Sequence, residues 1–269
     1  MSETGQRRKI YQLRVWYGMT AAAWFRLLVD NRFRCSPSRW YLAVLVSVAS
    51  VCNSALALLQ RVLFGRSIER VTIDQGPIFI LGHWRSGTTL LHKLLTLDSR
   101  HAFASTYACF APDHFLVSQK LFASLLRLLT PRHRSQDNVK VELAHPQEDV
   151  WAVCCLGLPT PYRAAAFPNH LPHASRYFDC EGLSQKEFSR WTRGWMRFLK
   201  AVQWRFPGKR LVIKSPLHTA RLEMLLALFP HARFVHIVRD PHAVYPSTLR
   251  LWQRLSEDEG LQLPKDKGL

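Results

Sequence analysis

A short apolar run that leads into a glycine-containing turn constrains this chain more than any other stretch. Residues 77–81 read PIFIL, which predicts a fully buried strand, and residues 82–89 read GHWRSGTT ahead of an apolar helical pattern. In such a strand–loop–helix unit, successive backbone N–H groups and the helix N-terminus form a cradle for a phosphate. Glycines allow the tight turn and the close approach of the anion, while Thr88, Thr89 and Arg85 add hydroxyl donors and a forked cation. The unit therefore predicts an anion-binding loop.

Two later apolar runs extend the pattern. Residues 210–213 (RLVI) and 233–238 (RFVHIV) predict two more buried strands, and each is followed by a helical segment. The helix after the second run is expected to begin with Asp240 as its N-cap and Pro241 at its first position. Strands that alternate with helices are typical of parallel sheets, so we predict an α/β fold with a P-loop-type parallel sheet flanked by helices.

The part of the chain before this sheet has a different character. Residues 40–59 contain no charge and are long enough to span a bilayer, although four polar residues dilute the run: Ser47, Ser50, Asn53 and Ser54. Residues 16–28 are also apolar, so the two stretches could form a helical hairpin in a membrane interface; the alternative is a helical cap buried on the rest of the protein. We therefore divide the chain into an N-terminal basic and apolar helical segment, residues 1–70, and a P-loop domain, residues 71–269.

Charge and cysteine content limit the partners and the compartment. The formal net charge of +18 implies an anionic partner, which could be a nucleic acid, an acidic membrane surface or a phosphorylated small molecule. Because the basic residues are scattered and form no zinc-finger or RNA-binding signature, nucleic acid is disfavoured. Six cysteines without a C-x-x-C pair or metal-ligand spacing indicate reduced thiols and no metal site. Residues 1–9 do not resemble a cleaved signal peptide, so we expect a cytoplasmic protein that associates with a membrane through residues 16–60.

The loop differs from that of an ordinary nucleotide triphosphatase, G-x-x-x-x-G-K-S/T, because Thr88 occupies the lysine position. Its cation is Arg85 instead, and RSGTT resembles the K/R-S-G-T-T phosphosulfate loop of the sulfotransferases. The resemblance implies that the loop binds the sulfate donor 3'-phosphoadenylyl sulfate (PAPS), a co-substrate, without a metal. The residues that it assigns to the donor are His83, Trp84, Arg85, Ser86, Gly87, Thr88 and Thr89.

Two further matches follow in the order that the sulfotransferase family shows. The family holds the 3'-phosphate of the donor with an arginine at a strand end and a serine eight residues later, which are Arg239 and Ser247 here. Pro246 departs from the pattern and is expected to kink the helix before that serine. The segment LVIKSPLH looks like the family's K-S/D-P segment, which implies that Lys214, alongside Arg85, stabilises the negative charge on the transferred group.

The general base is less well defined. An acceptor hydroxyl must lose its proton during transfer, so a histidine or carboxylate is expected within hydrogen-bonding reach. His218, four residues after Lys214, is one candidate, and Glu148 in HPQED is the other. The alternative role for Glu148 is a favourable charge at a helix N-terminus.

The resemblance predicts transfer of a sulfuryl group to a hydroxyl or amine of an unidentified small-molecule, glycan or lipid acceptor. One rival is a P-loop kinase with Asp240 as the magnesium carboxylate, which the missing loop lysine disfavours. Family members usually continue further, whereas residues 260–269 read as a loose tail, so we expect a C-terminally short domain. The second rival is therefore a truncated, inactive, membrane-tethered binding protein.

Overall fold

The computed structural model describes residues 14–121, 142–169 and 173–265. Residues 1–9, on which the signal-peptide argument depends, and residues 266–269 of the expected tail lie outside the described residues.

The described residues contain a four-stranded parallel sheet with the order β2-β3-β1-β4. Its strands are β1 (Ile78–Leu81), β2 (His101–Ala102), β3 (Arg210–Lys214) and β4 (Arg233–His236). The predicted α/β fold with a parallel sheet is confirmed. The run RFVHIV was expected to be a buried strand, and this is wrong: β4 is shorter and mostly exposed, because it lies at the edge of the sheet.

Helices surround the sheet. They are α1 (Ala21–Asp30), α2 (Trp40–Glu69), α3 (Thr88–Leu95), α4 (Thr106–Phe110), α5 (Val150–Cys155), α6 (Gln185–Arg205), α7 (Leu222–Leu228) and α8 (Pro241–Glu259). The Asp240 side chain accepts from the His242 N–H and caps α8, as predicted. A capping box formed by Ser184 and Glu187 begins α6. These caps determine where the helices begin.

The two apolar stretches near the N-terminus form neighbouring helices. Helices α1 and α2 are in contact, and the Trp24 indole N–H donates to Ser47 Oγ at 2.9 Å. Helix α2 also contacts α6, where the Phe64 and Trp204 rings lie 4.8 Å apart between centroids. Helices α1 and α2 therefore form the hairpin that the sequence predicts, and one face of this hairpin packs against the rest of the protein. By length and composition, the helical stretch Pro37–Glu69 is apolar enough to cross a membrane.

The end of the described chain is fastened to the body. Leu261 is fully buried and its N–H donates to the Ala166 carbonyl at 2.7 Å, while Gln262 Nε2 donates to the Arg34 carbonyl at 2.6 Å. The expectation of a loose tail from residue 260 is therefore wrong for residues 260–265. This stretch is ordered against the protein because Leu261 fills a core position and because its backbone N–H groups donate hydrogen bonds to the rest of the protein.

Candidate active site

The loop after β1 has the backbone that a tight anion-binding turn requires. Gly82 and Gly87 have φ angles of 143° and 102°, which L-residues with side chains rarely adopt. A Cβ on Gly82 would lie 2.7 Å from the Ile237 carbonyl oxygen and 2.9 Å from Ser86 Oγ. Arg85 also lies in the left-handed region, with φ 67°, a conformation that costs about 1–3 kcal/mol in a non-glycine residue. The loop is thus held in a strained shape by its surroundings.

Hydrogen bonds hold that shape. The Gly82 N–H donates to Thr219 Oγ1 at 2.9 Å, and Ser86 Oγ donates to the His83 carbonyl at 2.7 Å. Thr88 is buried at the first position of α3, whereas the His83 side chain is exposed. The loop therefore presents the N-terminus of α3 beside a mixture of buried and accessible side chains.

Arg85, Ser247 and Arg239 converge at one side of the loop. Arg85 Nε donates to Ser247 Oγ at 2.9 Å, and an Arg239 guanidinium N–H donates to the Arg85 carbonyl at 3.0 Å. Pro246 lies inside α8, yet the helix continues past it and the Ser247 hydroxyl still reaches the loop. Two guanidinium groups and a hydroxyl, from residues far apart in sequence, therefore lie together where an anion would be favoured.

Lys214 connects the loop helix to a carboxylate. It is the last residue of β3, and its side chain is only 2% exposed. Its Nζ donates to Glu148 Oε1 at 2.6 Å and to Thr89 Oγ1 at 3.3 Å. Because β3 lies beside β1 and runs parallel to it, the carboxyl end of the strand delivers the lysine to the loop.

Glu148 is held by a second contact that the sequence did not reveal. Its Oε2 accepts from the Tyr162 hydroxyl at 2.9 Å, and that hydroxyl accepts from the Trp84 indole N–H at 2.6 Å. Burial, with a smaller contribution from the Glu148 charge, raises the pKa of Tyr162 well above its usual value, so the phenol stays a neutral donor. Tyr162 lies in a short 3₁₀ turn, Pro161–Ala165, without a motif that would mark it. A chain of contacts thus runs from the loop residue Trp84 to Glu148.

His218 lies in a different environment. Its ring is 1% exposed, and its Nε2 lies 3.0 Å from both carboxylate oxygens of Asp149. The Trp195 indole N–H donates to the same carboxylate at 2.6 Å. Burial acts to raise the pKa of Asp149, but His218 and the Trp195 N–H outweigh it and hold that pKa below its usual value. The adjacent carboxylates therefore separate: Asp149 points into the core with His218, and Glu148 points to Lys214.

A neutral histidine lies close to Lys214. His92 of α3 is buried, and its Nε2 lies 3.3 Å from the Val212 carbonyl oxygen. Burial, reinforced by the Lys214 charge, lowers the pKa of His92 to about 3. The described residues contain no group of three or more His, Cys, Asp or Glu side chains placed to hold a metal ion.

The low pKa of His92 makes the free energy of unfolding depend on pH. In the unfolded state this ring is protonated below about pH 6.5, whereas in the folded state it is protonated only below about pH 3. The free energy of unfolding therefore falls as the pH falls through that window. One such group lowers the free energy of unfolding by roughly 1.6 kcal/mol between about pH 6.5 and pH 5. Urea denaturation at a series of pH values should show this slope, and His92→Gln should reduce it by about one proton. A slope that the substitution leaves unchanged would contradict the assignment.

Two solved structures resemble this fold. The chain superposes on sulfotransferase STF1 of Mycobacterium tuberculosis H37Rv with a TM-score of 0.56 and 18% identity, over 93% of this chain and 72% of that one. It superposes on sulfotransferase STF9 of Mycobacterium avium with a TM-score of 0.60 and 19% identity, over 83% of this chain and 57% of that one. At these identities the two likenesses show the fold alone.

Sequence comparison reaches further. The chain is 46% identical over 255 residues to the omega-hydroxy-beta-dihydromenaquinone-9 sulfotransferase Stf3 of Mycobacterium bovis, and equally to that of Mycobacterium tuberculosis. These matches cover 95% of this chain and 65% of each relative, so the chain spans slightly less than two thirds of their length. The model that describes the sulfotransferase family matches residues 77–262, which include the loop, Lys214, Arg239 and Ser247. The chain therefore belongs to the sulfotransferase family.

Proposed function

We propose that this protein transfers a sulfuryl group from PAPS to a hydroxyl, or an amine, of an acceptor. The observation that carries the proposal is the position of Lys214, whose ammonium group contacts both Thr89 of the anion-binding loop and the Glu148 carboxylate. A cation and a carboxylate of this kind, side by side at the loop, are what the transfer of an anionic group to a protonated nucleophile requires.

The loop and its neighbours fit the donor. A Cβ on Gly82 would meet the Ile237 carbonyl and Ser86, so glycine there lets the loop close on itself, and the N-terminus of α3 favours a phosphate. Residues 83–89 would hold the 5'-phosphosulfate end, and Arg239 with Ser247 would hold the 3'-phosphate. When bound, the donor supplies the sulfuryl group, and 3',5'-adenosine bisphosphate leaves after the acceptor oxygen has attacked sulfur in line.

Glu148 is our choice for the general base. Its side chain is 14% exposed, whereas the His218 ring is 1% exposed and engaged with Asp149. An acceptor proton can therefore reach the Glu148 carboxylate more readily than the histidine. Tyr162 acts as a positioning residue because its hydroxyl holds Glu148 Oε2. Lys214 and Arg85 stabilise the charge that builds on the transferred group and on the leaving phosphate.

The acceptor that we favour is a lipid. The relatives Stf3 carry in their name a menaquinone derivative as substrate, and the long apolar α2 supports work at a membrane surface. We propose a cytoplasmic enzyme that associates with the membrane through residues 16–60. A glycan or a small alcohol as acceptor remains the alternative.

The kinase rival has little support. Asp240, which that rival assigns to magnesium, uses its side chain to cap α8 by accepting from the His242 N–H at 2.9 Å. A carboxylate in this role is a common structural feature of helix N-termini. The other alternative, an inactive binding protein, makes a distinct prediction. Such a protein would bind 3',5'-adenosine bisphosphate but would not transfer a sulfuryl group.

Replacing Arg239 with alanine should weaken the binding of 3',5'-adenosine bisphosphate by about 10- to 100-fold, because charge-assisted hydrogen bonds contribute about 1.5–3 kcal/mol. Isothermal calorimetry without magnesium measures the effect. The matched control is Arg233→Ala, an exposed arginine at the opposite end of the β4 segment, which should leave the affinity unchanged. Equal affinity in wild type and Arg239→Ala would refute the assignment, and binding of ATP that requires magnesium would favour the kinase.

A further inference from the structure

Helix α2 packs a mixture of apolar and uncharged polar side chains against the protein and leaves large apolar side chains on the outside. Asn53 Nδ2 donates to the carbonyl oxygens of Tyr17 and Met19 at 2.7 and 2.9 Å, and Gln60 Oε1 accepts from the Leu116 N–H at 2.8 Å. Ser54 Oγ accepts from the Ala21 N–H, as Ser47 Oγ does from the Trp24 indole. Ser47, Asn53 and Ser54, three of the four polar residues that dilute the apolar run, therefore fasten the helix to neighbouring elements, whereas the Ser50 hydroxyl donates to the Ser47 carbonyl within α2.

The opposite face carries large apolar side chains that the described residues leave exposed. Val48 is 65% exposed and Val62 is 72% exposed. We call this set the apolar stripe; its members are Val44, Leu45, Val48, Val51, Leu58, Leu59, Val62 and Leu63. From Val44 to Leu63 the stripe is about 28 Å long at 1.5 Å per residue. A continuous apolar strip of this length on the surface of a protein marks an interaction site.

The charges around the stripe are almost all positive. Residues 21–70 contain seven arginines and only two acidic residues, Asp30 and Glu69. Asp30 is paired with Arg163 at 3.1 Å, whereas Arg61 and Arg66 lie exposed on α2 itself. The exposed Trp40 lies at the first position of the helix, an arrangement typical of the boundary between water and lipid. Apolar area, basic residues and an interfacial aromatic together fit the surface of a bilayer that contains anionic lipid.

We propose that α2 lies flat on an anionic bilayer, with the apolar stripe in the boundary between headgroups and acyl chains, and does not cross the membrane. A spanning arrangement would remove the bonds that Asn53 and Gln60 make to the body, and would leave buried polar groups without partners in lipid. A flat helix keeps those bonds and buries only the stripe. This inference rests on the membrane association proposed above and specifies its geometry and its lipid; it does not depend on the donor site.

Co-sedimentation of the purified full chain with lipid vesicles tests the surface. The protein should bind vesicles that contain phosphatidylglycerol more tightly than vesicles of phosphatidylcholine alone, and added salt should weaken the difference. Val48→Glu/Val51→Glu should lower the partition coefficient by about tenfold or more. Arg61→Gln/Arg66→Gln should reduce the preference for anionic vesicles by about fivefold for each arginine. Leu222→Glu/Leu226→Glu, a matched pair of exposed apolar residues on α7, should leave binding unchanged.

Depth measurements separate the flat helix from a spanning one. In a Cys35→Ser/Cys52→Ser background, an environment-sensitive fluorophore is attached in turn to Val44→Cys, Val51→Cys and Val62→Cys. Quencher lipids should place all three probes at the same shallow depth. A Val51→Cys probe near the bilayer centre would overturn the flat arrangement in favour of spanning.

Two other results would overturn the proposal. One is an absence of binding to vesicles that contain phosphatidylglycerol; the other is a dimer in light scattering that Val48→Glu/Val51→Glu dissociates, which would make a second copy the occupant of the stripe. Calorimetry with 3',5'-adenosine bisphosphate on the unaltered protein separates failure of this proposal from failure of the proposed function. If the unaltered protein binds the bisphosphate but does not bind anionic vesicles, the membrane surface alone is refuted.

Discussion

Glu148→Gln should lower kcat by about 100- to 10,000-fold, the range that a general base contributes. Glutamine keeps the shape of the side chain and its oxygen can still accept from Lys214, but its NH2 group cannot accept from the Tyr162 hydroxyl, and the amide cannot take the proton of the acceptor. Binding of 3',5'-adenosine bisphosphate should change little, because the carboxylate contacts Lys214 and not Arg85 or Arg239, the arginines that we propose for the donor. Turnover of a hydroxylated menaquinone analogue with PAPS, followed by bisphosphate release, measures the effect.

Two variants act as controls for this result. Glu142→Gln removes a carboxylate from a nearby, more exposed position and should leave turnover unchanged. His218→Asn removes the ring that faces Asp149, so it should lower the free energy of unfolding by about 1–3 kcal/mol while kcat per folded molecule falls much less than in Glu148→Gln. The reverse order, with full activity in Glu148→Gln and a large loss in His218→Asn, would make the histidine the base.

Lys214→Met should lower kcat by about 100- to 1,000-fold, as the loss of one preorganised charge at a developing anion does. Methionine fills a similar volume but removes the ammonium group that contacts Thr89 and Glu148. The decisive measurement is kcat against KM for the donor: a role in charge stabilisation predicts that most of the loss falls on kcat. A loss confined to KM would assign Lys214 to ground-state binding instead.

Stability must be measured on the same variant, because Lys214 is buried and Glu148 would lose its cation. Urea denaturation gives the fraction of folded protein by which the rate is corrected. The matched control is Lys200→Met, a lysine of α6 whose ammonium group donates to the Glu69 carbonyl and which lies outside the site. It should change neither kcat nor KM. If the double variant Lys214→Met/Glu148→Gln loses no more activity than the worse single variant, the two residues act as a unit.

The local sequence pattern was sufficient to predict the loop after β1 and helix α3, which follows it. The strand PIFIL, the glycines of the turn and the start of α3 lie next to one another in sequence, so their conformations follow from local sterics and hydrogen bonding. The helix start at Asp240 was predictable for the same reason, since a cap involves neighbouring residues. The resemblance to the sulfotransferases implied that Arg239 and Ser247 belong to one site, but it did not show that Arg85 contacts both of them.

The carboxylates illustrate where sequence reasoning ends. Glu148 and Asp149 are adjacent, and nothing in HPQED indicates which one faces the loop. The decision rests on Trp195 and His218, which come from other elements and bind Asp149 in the core, and on Tyr162, which binds Glu148. Such long-range partners follow from how the elements pack, which no local pattern reports.

The sequence pattern was sufficient to predict the class of fold, the glycine-containing loop between β1 and α3, and a long apolar helix near the N-terminus. Those properties depend on residues close together in the chain, or on composition summed over a segment. Only the tertiary structure shows that β4 is an edge strand, that residues 260–265 are fastened to the core, and that Ser50, Asn53 and Gln60 of α2 are buried against the body. The average hydropathy of a helix does not predict which of its faces is buried. That face depends on the hydrogen-bonding and packing partners that the rest of the fold places beside the helix.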